Sequence, residues 1–160
     1  MRFPLFYQSD FNDCGPTSLK MIAAYYGQHY ELDFLIKKCK LKAEGASMLN
    51  IHRTAKEMGF YSKGLKLHLE RLNEIKHPVI LHCGKTHFSV IYKTPKANRK
   101  GVYYIADPAR GLLKLTEKEF IPYWAGASTK DLSLTMLPLV HILFVAPKKK
   151  ELIKTGQLFV

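Results

Sequence analysis

Cysteine is scarce in this chain: three residues in 160, at Cys14, Cys39 and Cys83. An odd number, with no secretory signal pattern around Met1-Arg2-Phe3-Pro4, argues against a disulfide framework and for a reducing compartment. Long apolar runs are missing too. The most apolar stretch, Leu132 to Ala146, is interrupted by Ser133, Thr135, Pro138 and His141. It falls short of the roughly 20 apolar residues that span a bilayer, so the expectation is a soluble chain. No G-x-x-x-x-G-K-[ST] phosphate loop, no C-x-x-C pair and no H-E-x-x-H signature occurs. Repeats, low-complexity segments and internal linkers are likewise absent. Acidic residues are the last shortage: 13 Asp and Glu stand against 25 Lys and Arg, a net charge of +12. Such a balance attracts an acidic partner, whether nucleic acid, anionic membrane surface or acidic peptide. The clusters at Lys37-Lys38, Lys96 to Lys100 and Lys148-Lys149-Lys150 each read first as solvated surface. No zinc-finger or RNP signature accompanies them, so a nucleic-acid-binding module would rest on charge alone.

What remains is ordinary for a globular protein, 47% apolar and 24% charged. The length suits one domain with a real core. The stretch from Gln8 to Gly27, QSDFNDCGPTSLKMIAAYYG, is its most informative part. Pro16 reads as a helix start and Gly27 as its stop. Leu19, Ile22, Ala23 and Tyr26 then share one face. That spacing sets Cys14 at the amino end of a buried helix, where the dipole and unpaired N–H groups favour a thiolate. Alone, a cysteine there is more readily a small buried hydrophobe. It becomes a candidate nucleophile only with partners downstream.

Further helices are expected over Glu31 to Cys39 and from Ser47, an N-cap, to Gly59, with Met48, Ile51, His52, Ala55 and Met58 facing inward. The pattern then turns extended. Phe60 to Leu67, Pro78 to His82, His87 to Tyr92, Val102 to Ala106, Leu112 to Leu115 and Leu139 to Val145 read as strands. A helical turn or two is expected over His68 to Ile75. Thr94 to Gly101 reads as a hairpin loop. Thr116-Glu117-Lys118-Glu119 resembles a capping box opening a short helix toward Trp124. Early helices followed by hairpin-spaced strands imply an α+β domain, with the helices packed against an antiparallel sheet.

A cysteine nucleophile needs a base, and the base needs an orienting group. His87 opens one strand of the expected hairpin and Asp107 ends its return strand. Antiparallel pairing brings those ends together. Asp107 would then hold the imidazole's orientation, as the aspartate of a hydrolase triad does. Gln8 could donate to an oxyanion together with the Cys14 N–H. A metal site from His77, His82, Cys83 and His87 is a weaker reading, because His82 and Cys83 are adjacent on a strand and point to opposite faces.

Gln8, Asp13-Cys14-Gly15-Pro16, Met21-Ile22, Tyr25-Tyr26-Gly27, His87-Phe88, Ala106-Asp107-Pro108 and Trp124 together resemble the C39 peptidase family. These are papain-like cysteine peptidase domains of bacterial peptidase-containing ABC exporters. The likeness runs from about Phe6 to about Val145. It implies Cys14 as nucleophile, His87 as general base and acid, Asp107 as orienter and Gln8 as oxyanion donor. It implies a peptidase domain over residues 1–147, with 148–160 a basic tail or a linker toward a transmembrane domain. The implied reaction is cleavage of a precursor after a Gly-Gly or Gly-Ala pair, to mature a bacteriocin or related peptide during export. The implied partners are an acidic amphipathic leader and the exporter's transmembrane and ATP-binding domains, on the cytoplasmic side of the cell membrane. No cofactor, metal or nucleic acid is called for. A C39-like domain that only binds leaders is the alternative within the family.

Overall fold

A computed structural model describes residues 2–96, 101–126, 137 and 139–148. Three helices come first: α1 (Cys14–Tyr25), α2 (Leu32–Lys38) and α3 (Met48–Glu57). They are followed by β1 (Tyr61–Leu67), a single-turn α4 (Leu69–Leu72), β2 (Val79–Cys83), β3 (His87–Lys93), β4 (Val102–Asp107) and β5 (Gly111–Thr116). Then come α5 (Glu117–Ala125) and β6 (Val140–Ala146). The α+β expectation holds, with every sheet pairing antiparallel.

Local chemistry sets several boundaries. Ser47 caps α3 by accepting the Asn50 N–H at 3.1 Å. The Glu119 carboxylate accepts both the backbone N–H and the hydroxyl of Thr116 at the head of α5. Gly27 leaves α1 at φ +80°, a conformation that favours glycine. One boundary differs from expectation: α1 begins at Cys14 and not at Pro16. The Asp13 carbonyl already accepts the Thr17 N–H, and proline is tolerated anywhere in a first turn whose N–H groups are unused. The inward set of α3 also differs in part. Ile51 and Ala55 are fully buried, as is Thr54, while Met48, His52 and Met58 are half-buried.

The sheet order is β1-β6-β2-β3-β4-β5, so the last strand inserts between the first two. Val140, Ile142, Leu143, Val145 and Ala146 of β6 are all buried, as an interior strand covered on both faces requires. The two sheet faces carry separate cores. On one, α1, α2 and α3 pack Leu19, Ile22, Leu35 and Ile51 over Ile80, Phe88, Val90 and Ala106. On the other, α4 and α5 pack Leu72, Phe120 and Trp124 over Leu81, Ile91, Tyr103 and Ile105. The arm ahead of α1 is anchored by Phe3, which stacks on Tyr92 at 4.6 Å. Among the described residues no helix is long and apolar enough to cross a membrane. Residues 97–100 of the expected hairpin loop and 149–160 of the expected tail lie outside the described residues.

Candidate active site

Cys14 is the first residue of α1, and its side chain is nearly closed to solvent at 3% exposure. The head of α1 lies tight against α3 and β3. A Cβ on Gly15 would come within 2.7 Å of Ile51 Cδ1 and 3.4 Å of Phe88, so glycine permits this approach. The Cys14 thiol faces the Thr86 carbonyl, Sγ to O 3.8 Å, just before β3. His87 opens β3 directly after Thr86, which places the imidazole in the neighbourhood of Cys14.

The hydrogen-bond partner of His87 is Asp107. His87 Nε2 lies 3.1 Å from Asp107 Oδ1. The hairpin register brings this about: Val90 pairs with Ala106, which carries the end of β4 to the start of β3. Asp107 has no exposed surface, so its carboxylate must be satisfied by protein donors. Oδ1 also accepts the Ala109 N–H at 2.8 Å, and Oδ2 accepts the Tyr123 hydroxyl at 2.8 Å. Burial by itself would raise the Asp107 pKa; the hydrogen bonds from His87 and Ala109 outweigh it and hold the carboxyl below its ordinary value. Burial by itself would lower His87. The hydrogen bond to the Asp107 carboxylate and its negative charge, with Cys14 close by, push it up to about 9. The imidazole is thus held as a cation between a carboxylate and a thiol.

Gln8 sits on the turn leading into α1. Its backbone N–H donates to the Pro108 carbonyl at 3.0 Å, tying it to the residue after Asp107. Its side-chain Nε2 donates to the Asp10 carbonyl at 2.9 Å, and Oε1 is enclosed with no hydrogen-bond partner among the described residues. The amide has two N–H groups, and this bond uses one. Buried Asp13 shapes the turn. Its Oδ2 accepts from the Ser9 hydroxyl at 2.6 Å, the Ser9 N–H at 3.1 Å and the Asp10 N–H at 3.3 Å.

Cys14, His87 and Asp107 are therefore brought together, with Gln8 fastened beside Pro108. Three groups at the site were not foreseen as contributors: the Thr86 carbonyl, the Asp13 carboxylate and the Tyr123 phenol. Asp13 had a signal, an acidic residue just ahead of a helix. Tyr123 had none, because only the folding of α5 over the sheet brings it to Asp107. His82 and Cys83, named in the weaker metal reading, part at the sheet. His82 stacks on Phe88 at 4.7 Å, and Cys83 turns to the other face toward the Ser89 hydroxyl at 3.4 Å. No group of three metal-ligating side chains exists among the described residues.

Comparisons with known proteins converge on one family. The model of the peptidase C39 family matches residues 2–129. The chain is 34% identical over 127 residues to the colicin V secretion/processing ATP-binding protein of Escherichia coli, covering 79% of this chain and 18% of that protein. It is 32% identical over 125 residues to the transport/processing ATP-binding protein ComA of Streptococcus pneumoniae, covering 76% of this chain and 17% of ComA. It thus spans under a fifth of the length of these two relatives. Among solved structures it resembles a double glycine motif protease from an AMS/PCAT transporter, in complex with the leader peptide. That match has a TM-score of 0.76 at 26% identity, over 92% of this chain and 93% of the other. The peptidase domain of Streptococcus ComA, a bi-functional ABC transporter of a quorum-sensing pathway, matches with a TM-score of 0.73 at 26% identity, over 92% and 100%. The family match across residues 2–129, the identity to processing transporters and the shared fold lead to one conclusion: this chain belongs to the peptidase C39 family.

Proposed function

We propose that this chain is a cysteine endopeptidase domain that cleaves a leader peptide after a Gly-Gly or Gly-Ala pair, maturing a bacteriocin or related peptide for ABC-transporter export. The observation that carries the reading is the His87–Asp107 hydrogen bond beside Cys14, whose thiol faces the carbonyl of Thr86, the residue before His87. With Nε2 held by Asp107, the other ring nitrogen is left for Cys14. In the resting pair His87 already carries the thiol proton as imidazolium, so Cys14 Sγ attacks the carbonyl of the second residue of the leader's pair as a thiolate. The negative oxygen that forms is stabilised by the Cys14 N–H at the open head of α1 and by the spare N–H of Gln8. His87 then protonates the leaving amine, which departs with the mature peptide. Water attacks the thioester, His87 again accepts a proton, and the leader leaves with a free carboxylate.

A cavity of about 370 Å³ adjoins this centre through Thr86 and Phe88. Its floor includes Ala46 and Met48, and its rim has Lys40, Lys42 and Lys85 against one acid, Glu44. An apolar floor under a basic rim supports an acidic amphipathic leader as the substrate. In this reading residues 1–147 are the peptidase domain, 148–160 lead toward transmembrane and ATP-binding domains, and cleavage occurs on the cytoplasmic side. Cleavage of a synthetic double-glycine leader peptide, followed by mass spectrometry, tests it. One cut after the second glycine is expected, lost in Cys14→Ala with peptide binding retained. A wild-type protein that binds the leader and leaves it whole refutes the peptidase and makes the chain a leader-binding domain.

A further inference from the structure

Asp107 is fully enclosed, and one of its two oxygens faces away from His87. That second oxygen, Oδ2, accepts the Tyr123 hydroxyl at 2.8 Å. Tyr123 lies near the end of α5, on the sheet face opposite α1. Its ring packs beside Phe120 at 6.5 Å and under the Arg110 guanidinium at 5.6 Å. The next residue, Trp124, accepts the Gly84 N–H at 2.8 Å, in the turn that leads to Thr86 and His87. The end of α5 therefore grips both strand ends of the site, Asp107 by a side chain and the β2–β3 turn by a backbone bond.

We propose that Tyr123 is a positioning residue, whose phenol fixes the rotation of the Asp107 carboxylate so that Oδ1 meets His87 Nε2. This rests on the catalytic assignment of Cys14, His87 and Asp107 proposed above. The physical argument is one of satisfaction. A buried carboxylate oxygen without a donor costs more than the bond itself contributes, so an Asp107 deprived of Tyr123 turns or binds a proton. Either outcome withdraws the counter-charge from the imidazolium. The charged and titratable groups around Asp107 are His87 with Cys14 beyond it on β3 and α1, Tyr123 on α5, Cys83 on β2 and Arg110 in the following turn. Of these, Tyr123 is the donor to Oδ2.

The test is Tyr123→Phe, which deletes one hydroxyl and keeps the ring. The leader-cleaving kcat should fall roughly 10- to 100-fold with KM nearly unchanged, the range of a hydrogen bond to a charged group. The acid limb of Cys14 alkylation by iodoacetamide should move to higher pH, because Asp107 now binds a proton more readily. A merely structural loss lowers activity alike at every pH and leaves that limb in place. Wild-type kcat and an unmoved limb overturn the proposal. Should the variant fail to fold, 3-fluorotyrosine at position 123, a stronger donor of nearly the same shape, should move the limb to lower pH. An unmoved limb there overturns it equally. His87→Ala and Cys14→Ala run alongside. If Cys14 alkylation ignores His87→Ala, or cleavage survives Cys14→Ala, the catalytic assignment itself is wrong and Tyr123 loses its role with it. If both controls behave and only Tyr123→Phe is silent, the inference about Tyr123 alone is wrong.

Discussion

Cys14 and Cys83 are both nearly sealed from solvent, at 3% and 5% exposure, and both touch the neighbourhood of His87. Cys83 is the register partner of His87 across β2 and β3. By burial or by distance along the fold the two thiols look alike, yet their surroundings differ. Cys14 stands at the head of a twelve-residue helix, its thiol against the Thr86 carbonyl next to His87. Cys83 ends an interior strand and turns to the Ser89 hydroxyl on the far face. Burial pushes its thiol up to about 12. A buried cysteine is therefore inert or poised according to which cation and which helix end it meets, and burial does not decide.

The sharpest way to break the comparison is to delete each sulfur. Cys14→Ala should reduce leader cleavage by about 10⁴-fold or more, since no other group can form the thioester. Thermal stability should change little. A Cys14→Ala protein that still cleaves at a tenth of the wild-type rate would refute the nucleophile assignment. Asp107→Asn comes next, with an expected loss of roughly 10²- to 10⁴-fold in kcat. An amide offers His87 the wrong hydrogen-bond polarity and removes the charge that keeps it cationic. Activity within a few-fold of wild type would leave Asp107 a turn residue only.

How much of this was legible beforehand depends on the range of the interaction. Short-range rules worked where one residue decides. Ser47 and Asn50 start α3, Thr116 and Glu119 start α5, and Gly27 ends α1. The hairpin worked as well, because register alone carries Asp107 to His87. The start of α1 was set two residues late, since proline fits more than one position of a first turn. That slip matters little chemically, because Cys14 remains at the open end. The place of β6 between β1 and β2 depends on pairings between residues more than sixty positions apart, which no local pattern encodes. Tyr123 belongs with β6: it is sixteen residues from Asp107, on another element, at no characteristic spacing. The residues proposed as catalytic stood out as motifs, and Tyr123, which holds Asp107, did not.

Alkylation sharpens the same contrast without any peptide substrate. Burial holds Cys39 at about 11 and Cys83 at about 12. At pH 7 their thiolate fractions are about 10⁻⁴ or less. Iodoacetamide should label Cys14 alone in the folded protein, and all three cysteines in denaturant, as read by intact mass and peptide mapping. Faster labelling of Cys39 or Cys83 would invert the comparison.

The pH dependence follows from the same pair. His87 is raised to about 9 from an ordinary 6.5. Its contribution to stability is complete below about 6.5 and is lost as pH rises through 9. Asp107 is depressed, so its contribution holds above its ordinary value and is lost as pH falls. The urea midpoint should therefore decline between pH 6.5 and 9, and the decline should flatten in His87→Ala. Cleavage should persist to about pH 9 and fall above it, as the leaving amine loses its acid. A fall centred near 6.5 would mean that Asp107 does not act on His87.

Cys83→Ala should have the smallest effect, and it completes the pair with Cys14→Ala. The site loses one sulfur from a sealed core, a cost of about 1 kcal/mol in stability by analogy with other small core truncations. Leader cleavage should stay within about threefold of wild type, because Cys83 touches Ser89 and the Tyr123 region but no reacting atom. Its neighbours sharpen the expectation further. Losing the sulfur shifts the packing under Tyr123, so any residual effect should appear in kcat and not in KM. A large loss of activity at unchanged stability would mean that the second thiol takes part in the chemistry after all. The difference between the two buried cysteines would then be one of degree.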